Sequence, residues 1–336
     1  MTEPVAIDAR AAVRREIGGV ERVAREMATR LPRLRPERYR AIRPPVALAH
    51  RAGHAWEQAA LPLAARQAQL LYAPGNIAPL ATGPRNVLVI HDVAALRHPE
   101  WYSRTSVTWQ RAVLPRLARS ARRVVTVSEF SRREIENLLG VDAAVVPNGV
   151  DPERFHPGVE SARRERPYVL LVGTRIARKN TSLLAEAARR LEREGIELVS
   201  AGSGRGYMRA ETDGAVAPLG YVPDEDLPGL YAGARALAMP SLYEGFGLPC
   251  LEAMACGTPV VAANSGALPE TCAGAALLAD PDDPAAFADA LVTAATDDVT
   301  RTRLAEAGRA RAAERTWERT AELTDRLVGE LLRPER

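Results

Sequence analysis

Two carboxylates, Glu244 and Glu252, bracket a stretch whose residue types suit the binding of an anion. Gly245 and Gly247 follow the first carboxylate, and glycine lets the backbone take unusual φ values and bring its amides close to a ligand. Pro249 suits the first turn of a helix, where unpaired N–H groups and the helix dipole attract a diphosphate. Carboxylates repel phosphate, so we expect both glutamates to accept hydrogen bonds from ligand hydroxyls. Hydroxyls beside a diphosphate describe a nucleotide sugar.

The segment from Glu244 to Glu252 resembles the E-x7-E element of family-4 glycosyltransferases, which are retaining sugar transferases of the GT-B fold. The Gly-Phe-Gly-Leu-Pro run inside it and the Ala-x-Gly-x-Pro-Val-Val run behind it extend the resemblance. The resemblance implies that Glu244 contacts the donor sugar and Glu252 the nucleotide ribose. It also assigns the residues between them to the donor site, namely Gly245, Phe246, Gly247 and Leu248. For the two glutamates alone, a glycine-rich loop with a helix cap and two solvated carboxylates is an equal alternative.

Lys179 is the single lysine of the chain, since arginine accounts for the other 44 of its 45 Lys and Arg residues. A compact ammonium at one position indicates a site that a guanidinium would not fit, although chance also leaves single lysines. Together with Arg178, Lys179 suits the negative charge of a departing diphosphate. The family often carries a second basic residue directly after the loop glycine; here that position is Thr174, and Arg175 follows it. We include both in the expected donor site.

Gly18, Gly19 and His91 are the candidate site residues of the first half. The Gly-Gly pair opens a predicted helix, where backbone and ligand can come close. His91 directly follows a predicted buried strand, at the end of a parallel sheet where ligands bind. A lone histidine is more often structural, but His-Asp and the later His-Pro-Glu-Trp are similar to family motifs. The resemblance implies that the glycine loop faces the donor phosphates and the acceptor, and that His91 contacts the transferred sugar.

Two series of alternating strands and helices predict parallel sheets in an α/β protein. Strands are expected at 5–8, 70–73, 86–90, 124–127, 143–146, 168–172, 197–201, 219–223, 236–240, 260–263 and 275–278. The resemblance implies the GT-B fold, with two Rossmann-like domains facing a cleft and a C-terminal helix crossing back to the first domain. We expect an acceptor-side domain at 1–157, a nucleotide-sugar-binding domain at 158–315 and the crossing helix at 316–336. Contacts to the nucleotide base are expected near Tyr221 and Val222.

Composition excludes several classes of protein. With 336 residues, 46% of them hydrophobic and 26% charged, the chain is long enough for two globular domains and is not disordered. No apolar run is long enough to cross a bilayer and no signal-peptide core is recognisable, so we expect a cytoplasmic protein. The three cysteines have no metal-ligand spacing. No convincing Asp-x-Asp metal motif is present, because Asp282-Asp283 and Asp297-Asp298 look like helix starts, and we expect neither a metal nor a cofactor.

Charge is distributed unevenly along the chain. Residues 1–157 hold 24 Arg and 15 acidic residues, and residues 158–336 hold 21 Lys and Arg and 27 acidic residues, so the halves carry +9 and −6 and sum to +3. A basic first half suits an acidic partner such as an anionic membrane, a phosphorylated acceptor or nucleic acid, and a solvated Arg-rich face explains it at least as well. No aromatic-interleaved basic platform supports nucleic acid. We therefore expect no nucleic-acid partner, and we extend the expected location to the inner face of the membrane.

The resemblance implies a retaining, metal-independent glycosyltransferase, and we expect it to move a hexose from a nucleoside-diphosphate sugar to a glycan, lipid-linked or small-molecule acceptor. Similarity is loosely greatest to mannosyl- and rhamnosyltransferases of polysaccharide assembly, which makes GDP-mannose or a related donor the expected one. The alternatives within the fold are a nucleotide-sugar epimerase and a phosphorylase. A nicotinamide dehydrogenase lacks support, because the glycine-rich run after residue 201 has Tyr207 where G-x-G-x-x-G requires glycine.

Overall fold

The computed structural model describes residues 4–45, 53–173, 176–202 and 216–333. Within these ranges the strands are β1 Val5–Asp8, β2 Tyr39–Ile42, β3 Leu70–Ala73, β4 Asn86–Val89, β5 Arg123–Thr126, β6 Ala143–Val145, β7 Tyr168–Val172, β8 Glu197–Ala201, β9 Ala217–Gly220, β10 Ala236–Met239, β11 Val260–Ala263 and β12 Leu277–Ala279. The α-helices are α1 Gly19–Leu34, α2 Gly53–Ala55, α3 Leu61–Ala64, α4 Ala94–Arg97, α5 Arg104–Ser120, α6 Glu129–Leu139, α7 Ala185–Arg193, α8 Leu227–Gly233, α9 Leu248–Ala255, α10 Leu268–Cys272, α11 Pro284–Thr296, α12 Asp298–Ala313 and α13 Trp317–Leu331. Short 3-10 turns occur at Ala11–Val13, Leu80–Arg85, Pro99–Trp101, Ala177–Lys179 and Thr181–Leu184, and a π-helix at Trp56–Ala60.

The strands form two six-stranded sheets, ordered β2-β1-β3-β4-β5-β6 and β12-β11-β10-β7-β8-β9. Every strand pairing within them is parallel, for example β1 with β3 and β7 with β10. In each sheet the order reverses beside the first strand of its series, between β1 and β3 and between β10 and β7. Two such parallel sheets with helical crossovers confirm the predicted α/β fold class and its two Rossmann-like sheets.

The central strands are short apolar runs because both of their faces are covered by helices. All four residues of β1, β3, β4, β10 and β11 are buried. Helix α1 buries Val23, Met27 and Leu31, which recur at the spacing of one helical face. All three cysteines are buried and free.

The described residues divide into two compact units. The first unit comprises 1–97, 107–148 and 317–336, and the second comprises 98–106 and 149–316. The predicted domain boundary at 157/158 therefore differs from the unit boundary, since residues 149–157 belong with the second unit. The backbone N–H of Val150 donates to Arg315, and the ring of Phe155 packs edge-on against Tyr231.

The last helix, α13, packs against α1 in the first unit, as the predicted fold requires. Its Asp325 accepts hydrogen bonds from the Tyr39 hydroxyl at 2.9 Å and from Arg38 Nη1 at 2.6 Å. The Thr320 hydroxyl donates to the Pro147 carbonyl at 2.8 Å. These bonds tie the end of the chain to β2 and to the segment after β6.

Some elements differ from the sequence prediction. Strand β2 was missed because it is an edge strand in which only Tyr39 is fully buried, so it lacks an apolar pattern. Helix α5 begins at Arg104, and its first half is polar and partly exposed, so the apolar pattern of the sequence does not show where it starts. The strand expected at 219–223 is observed at 217–220, and most of the glycine-rich run after residue 201 lies outside the described residues. No helix in the described ranges is long and apolar enough to cross a membrane.

Candidate active site

A buried ion pair lies where the strand order of the second sheet reverses. Lys179 follows β7 and Glu244 follows β10, and these neighbouring strands bring the two side chains to the same edge of the sheet. Lys179 Nζ lies 2.7 Å from Glu244 Oε1, and the two residues are only 6% and 7% exposed. The carboxyl ends of strands at such a reversal are where open α/β sheets bind ligands.

Gly173 makes room for the lysine side chain. Its φ is +147°, and a Cβ at this position would lie 2.8 Å from Lys179 Cε. A single 3-10 turn, Ala177–Lys179, then directs the lysine inward. The backbone N–H of Leu242 donates to the Arg178 carbonyl at 2.9 Å, which fastens the β7 loop to the β10 loop. The pair is therefore fixed by backbone contacts on both sides.

Glu244 keeps its charge despite its burial. Desolvation raises the pKa of a buried carboxyl group, but the nearby Lys179 and Arg178 outweigh it and hold the pKa of Glu244 below its ordinary value. The carboxylate is thus ionised at neutral pH and accepts hydrogen bonds. The lysine and arginine together exceed it by one positive charge, so the group as a whole attracts an anion.

Glycines shape the elbow between Glu244 and α9. Gly247 caps α9 with a φ of +95°, and a Cβ there would lie 2.7 Å from Leu268 Cδ2. Gly266 has a φ of +57°, and its Cβ would lie 2.7 Å from the Glu244 backbone nitrogen. The backbone N–H of Ala267 also donates to the Glu244 carbonyl at 2.9 Å. The elbow is consequently close-packed, and α9 starts directly after a glycine in a left-handed conformation.

Glu252, on α9, is held by a buried tyrosine. The Tyr231 hydroxyl donates to Glu252 Oε2 at 2.9 Å, and Tyr231 is fully buried. The Thr258 hydroxyl in turn donates to the Tyr231 carbonyl at 2.6 Å. Glu252 is therefore not a solvated glutamate, and its carboxylate has a fixed direction.

In the first unit, Gly18 caps α1 and its neighbour Glu21 fixes the loop. The Gly18 N–H donates to Glu21 Oε2 at 3.1 Å, and Arg14 Nη1 donates to Glu21 Oε1 at 3.1 Å. Gly19 is the first residue of the helix. The predicted glycine loop thus does begin a helix, and its carboxylate partner is buried.

His91 follows β4 and is also buried. Its Nε2 lies 2.7 Å from the Pro74 carbonyl, and its backbone N–H donates to Asn76 Oδ1 at 2.7 Å. Burial lowers the pKa of His91 although the Pro74 carbonyl, Asp92 and Glu21 act to raise it, so the ring is neutral near pH 7. Because a carbonyl only accepts, Nε2 carries the proton and Nδ1 is an acceptor.

The predicted site residues therefore fall into separate groups. Arg178, Lys179, Glu244, Gly245, Phe246, Gly247, Leu248 and Glu252 lie in the second unit around the two loops and α9, whereas Gly18, Gly19 and His91 lie in the first unit. Thr174 and Arg175 lie outside the described residues. Tyr221 and Val222 follow β9, two strands along the sheet from β7, and Tyr221 is 44% exposed. The functional role of each remains a prediction.

Sequence reasoning missed two features near these residues. Tyr231, the partner of Glu252, is 21 residues away in sequence, and no local pattern links the two residues. The His-Pro-Glu-Trp run was noted, but not that His98 stacks on Trp101 and meets Tyr243 edge-on, directly beside Glu244. No group of three or more His, Cys, Asp or Glu side chains in the described part of the chain is arranged to hold a metal ion.

Two Rossmann-like parallel sheets, one with a charged pair at its strand reversal beside a glycine-capped helix, define a sugar-transferase fold of the GT-B type. Comparisons with known proteins agree. The family described as Glycosyltransferase Family 4 matches residues 17–154, and the family described as Glycosyl transferases group 1 matches residues 166–297. The chain belongs to the group 1, family 4 glycosyltransferases, which confirms the family resemblance.

Individual relatives share this assignment. The O-antigen chain mannosyltransferase B of Escherichia coli is 36% identical over 259 residues, covering 70% of this chain and 67% of that protein. A D-inositol 3-phosphate glycosyltransferase of Corynebacterium jeikeium is 36% identical over 59% of this chain and 56% of its own length. The chain thus spans little more than half of the second relative.

Solved structures show the same fold. Sucrose-phosphate synthase from Thermosynechococcus elongatus has a TM-score of 0.75 at 19% identity, with 97% of this chain and 98% of that chain covered. HepE of Anabaena, in complex with UDP and glucose, has a TM-score of 0.72 at 19% identity, with 98% and 100% covered.

Proposed function

We propose that the protein is a retaining glycosyltransferase that moves a hexose, with GDP-mannose or a related donor, to a glycan, lipid-linked or small-molecule acceptor without a metal ion. The observation that carries the proposal is the buried Lys179–Glu244 pair at the strand reversal of the second sheet. A mannose donor is supported by two relatives, the E. coli mannosyltransferase and a GDP-mannose-dependent alpha-(1-6)-phosphatidylinositol monomannoside mannosyltransferase of Mycolicibacterium smegmatis, 32% identical over 48% of this chain and 49% of its own length.

Donor binding then separates the pair. The diphosphate binds Lys179, Arg178 and the N–H groups of Gly247 and Leu248. Glu244 is then free to accept hydrogen bonds from the hydroxyls of the sugar. Each charge is thus exchanged for a ligand group rather than left uncompensated, which would be costly in a buried site. Glu252 accepts from the ribose, Gly245 and Phe246 shape the elbow, and Thr174 and Arg175 extend the phosphate site.

The chemistry needs stabilisation of two opposite charges. Positive charge grows on the sugar ring as the anomeric C–O bond breaks, and negative charge grows on the leaving diphosphate. Preorganised cations and amides stabilise the leaving group, and losing one such contact typically raises the barrier by roughly 3–4 kcal/mol. Lys179 and Arg178 place two positive charges beside the leaving diphosphate. These charges support a reaction that stabilises the leaving group without a metal ion.

The first unit supplies the remaining proposed groups. His91 presents an acceptor nitrogen, Nδ1, which suits a hydroxyl of the transferred sugar, and the Gly18-Gly19 loop suits phosphates or the acceptor. The base lies near Tyr221 and Val222. Retention of configuration follows if the acceptor attacks from the face that the diphosphate leaves.

We also propose that the protein contacts the inner face of an anionic membrane. Supporting this, α5 contains no acidic residue and exposes Trp109 together with Arg111, Arg116 and Arg119. Arginine beside an exposed tryptophan suits the headgroup region of anionic lipid. In a flotation assay at low salt, the protein should rise with phosphatidylglycerol vesicles and not with neutral vesicles. Equal binding to both kinds of vesicle, or to neither, would contradict the proposal.

The activity is tested with a panel of nucleoside diphosphates and their sugars. The preferred diphosphate should raise the thermal stability, with a gain of a few kcal/mol at saturating excess. The matching sugar should be transferred to an acceptor in the presence of EDTA, and NMR of the product should show the anomeric configuration of the donor. Conversion of the donor without an acceptor would favour an epimerase, dependence on phosphate a phosphorylase, and an inverted product would overturn retention.

A further inference from the structure

A partly buried network in the first unit holds the loop that carries the hydrogen-bond partners of His91. We define the 74–80 segment as Pro74–Leu80, the residues between β3 and the 3-10 turn that begins at Leu80. Pro74 accepts from the His91 ring and Asn76 accepts from the His91 backbone N–H. The position of His91 therefore depends on the conformation of this segment.

Two glutamine contacts fix the far end of the 74–80 segment. Gln58 Nε2 donates to the Ala78 carbonyl at 3.1 Å, and Gln58 Oε1 accepts from the Leu80 N–H at 3.0 Å. One side chain thus hydrogen-bonds both a carbonyl and an N–H group of the 74–80 segment. Such a pairing aligns a loop as a strand partner would.

An arginine reaches the near end of the same segment. Arg10 follows β1, whose neighbour β3 precedes the segment, at the point where the first sheet reverses its order. A Cβ on Gly75 would lie 3.8 Å from Arg10 Nη2, so the guanidinium lies close beside the turn at Gly75. A Cβ on Gly53 would lie 3.3 Å from Arg10 Cδ, so the arginine stem is enclosed on its other side as well.

Glu57 joins the two contacts. Its Oε2 lies 2.7 Å from Arg10 Nη2, with side chains only 4% and 0% exposed, and its Oε1 accepts from Gln58 Nε2 at 3.2 Å. Glu57 and Gln58 lie in the π-helix Trp56–Ala60. Such π-helical turns are rare in proteins, and those that occur are often found at functional sites. The wider turn lets consecutive residues point to the two ends of one segment.

We infer that Arg10, Glu57 and Gln58, here called the Arg10 network, are positioning residues for the sugar-transfer reaction: they hold the 74–80 segment so that it orients the His91 ring. The inference rests on the proposed contact of His91 with the transferred sugar. None of the three residues touches the His91 ring in the described structure; they act through the segment. A displacement of about 1 Å at a reacting group lowers rates by up to roughly 100-fold.

Gln58→Ala is the sharpest test, because Gln58 is exposed and its loss leaves the buried ion pair in place. Gln67→Ala is the matched control, an exposed glutamine of the same unit whose side chain makes no hydrogen bond within the described residues. Two readouts are needed: the ¹⁵N signals of the His91 ring in the free protein, assigned with His91→Gln, and the separate kcat and KM for the donor.

Gln58→Ala should shift or broaden the His91 ring signals and lower kcat roughly 10-fold with little change in donor KM, whereas Gln67→Ala should change neither. Glu57→Gln, which keeps the side-chain shape, should act in the same direction if it folds. Unchanged ring signals in a folded Gln58→Ala variant would overturn the inference, even if its melting temperature fell. If wild-type protein transferred no sugar, the proposed function would fail, and the ring signals would still decide the positioning role.

Discussion

Two buried ion pairs of equal length lie near the strand reversals of the two sheets, and their carboxylates behave in opposite ways. Lys179–Glu244 in the second unit and Arg10–Glu57 in the first both measure 2.7 Å. The pKa of Glu244 is held below its ordinary value by Lys179 and Arg178, which outweigh its desolvation. The pKa of Glu57 is raised to about 7, chiefly by desolvation, which Arg10 offsets only in part, and further by the nearby buried Asp8.

The difference separates a binding pair from a structural one. Around Glu244 two cations face one carboxylate, so the site has positive charge to offer a diphosphate. Around Glu57 one cation faces two carboxyl groups, so the Arg10–Glu57 pair has no excess positive charge to offer an anion. Equal distance and burial therefore do not make two ion pairs equivalent; the count of surrounding charges decides what each can bind.

The largest expected difference is in turnover. Glu244→Gln should lower kcat by roughly 100- to 1,000-fold, because an ionised acceptor beside the reacting sugar is lost. Glu57→Gln should lower it only roughly 10-fold, through the position of His91. Steady-state kinetics with saturating donor compares them, and circular dichroism checks the fold. Equal losses in the two variants would remove the distinction.

Stability against pH should also separate the two carboxyl groups. Glu57 has a raised pKa, so its contribution to stability is complete below its ordinary value of 4.5 and is lost as the pH rises through about 7, a loss of about 3 kcal/mol at most. Glu244 has a lowered pKa, so its contribution is present above 4.5 and is lost as the pH falls below that value.

Urea unfolding of the two Gln variants measures this contrast. Glu57→Gln should flatten the profile of unfolding free energy between pH 4.5 and 7, whereas Glu244→Gln should flatten its acid side. A Glu57→Gln profile that stays parallel to wild type through that interval would show that Glu57 titrates normally.

Diphosphate affinity should depend on one pair alone. Lys179→Met should weaken binding of the preferred nucleoside diphosphate by roughly 100-fold, or about 2.7 kcal/mol, since a buried charge contact to phosphate is lost. Arg10→Met should leave the affinity within about 3-fold of wild type, a change of less than 1 kcal/mol. Isothermal titration calorimetry provides the values. Weaker binding in Arg10→Met by as much as in Lys179→Met would place the anion elsewhere.

A smaller effect is expected from the glycine that admits the lysine. Gly173→Ala places a methyl group 2.8 Å from Lys179 Cε, whereas Gly195→Ala, also at positive φ (+73°), meets nothing within 4 Å. Both variants strain the backbone because L residues rarely adopt positive φ, and at Gly195, in the left-handed helical region, the cost is roughly 1–2 kcal/mol. Only Gly173→Ala should weaken diphosphate binding, by roughly 10-fold, because only it displaces the ammonium. Indistinguishable affinities in the two variants would mean that the lysine position is not set here.

The smallest effect is expected at Glu252. Tyr231→Phe removes the hydroxyl that directs this carboxylate, and should raise the donor KM roughly 3- to 10-fold with kcat little changed. Tyr168→Phe is the control, since the Tyr168 hydroxyl donates to the Leu230 carbonyl instead. A rise in KM of the same size in both variants would indicate general loosening of the core.

Local sequence was enough for most of the strands and for the loops that hold the second-unit candidate residues, whereas the edge strand β2 was missed. The apolar runs that became β7, β10 and β11 are continuous, and the loop residues Lys179 and Glu244 follow two of them directly. The glycine pattern identified the elbow because left-handed φ values leave few other residue choices. The family resemblance predicts the roles of these residues, which spacing alone does not.

What the sequence could not show were contacts between distant segments. Arg10 and Glu57 are paired only because the strand reversal brings the end of β1 to the π-helix, and residues 32–85 carried little pattern. Tyr231 and Glu252 meet in the same way, across α8 and α9. The Lys179–Glu244 pair itself was not predicted, since both residues were assigned to the ligand and not to each other.

The most direct measurement is a crystal structure with the preferred nucleoside diphosphate bound. We expect phosphate oxygens on Lys179 Nζ and at the N–H groups of Gly247 and Leu248, with the lysine drawn away from Glu244 while Arg10 and Glu57 stay in contact. A diphosphate bound elsewhere, or bound here with Lys179 still 2.7 Å from Glu244, would contradict the exchange of partners on which the account depends.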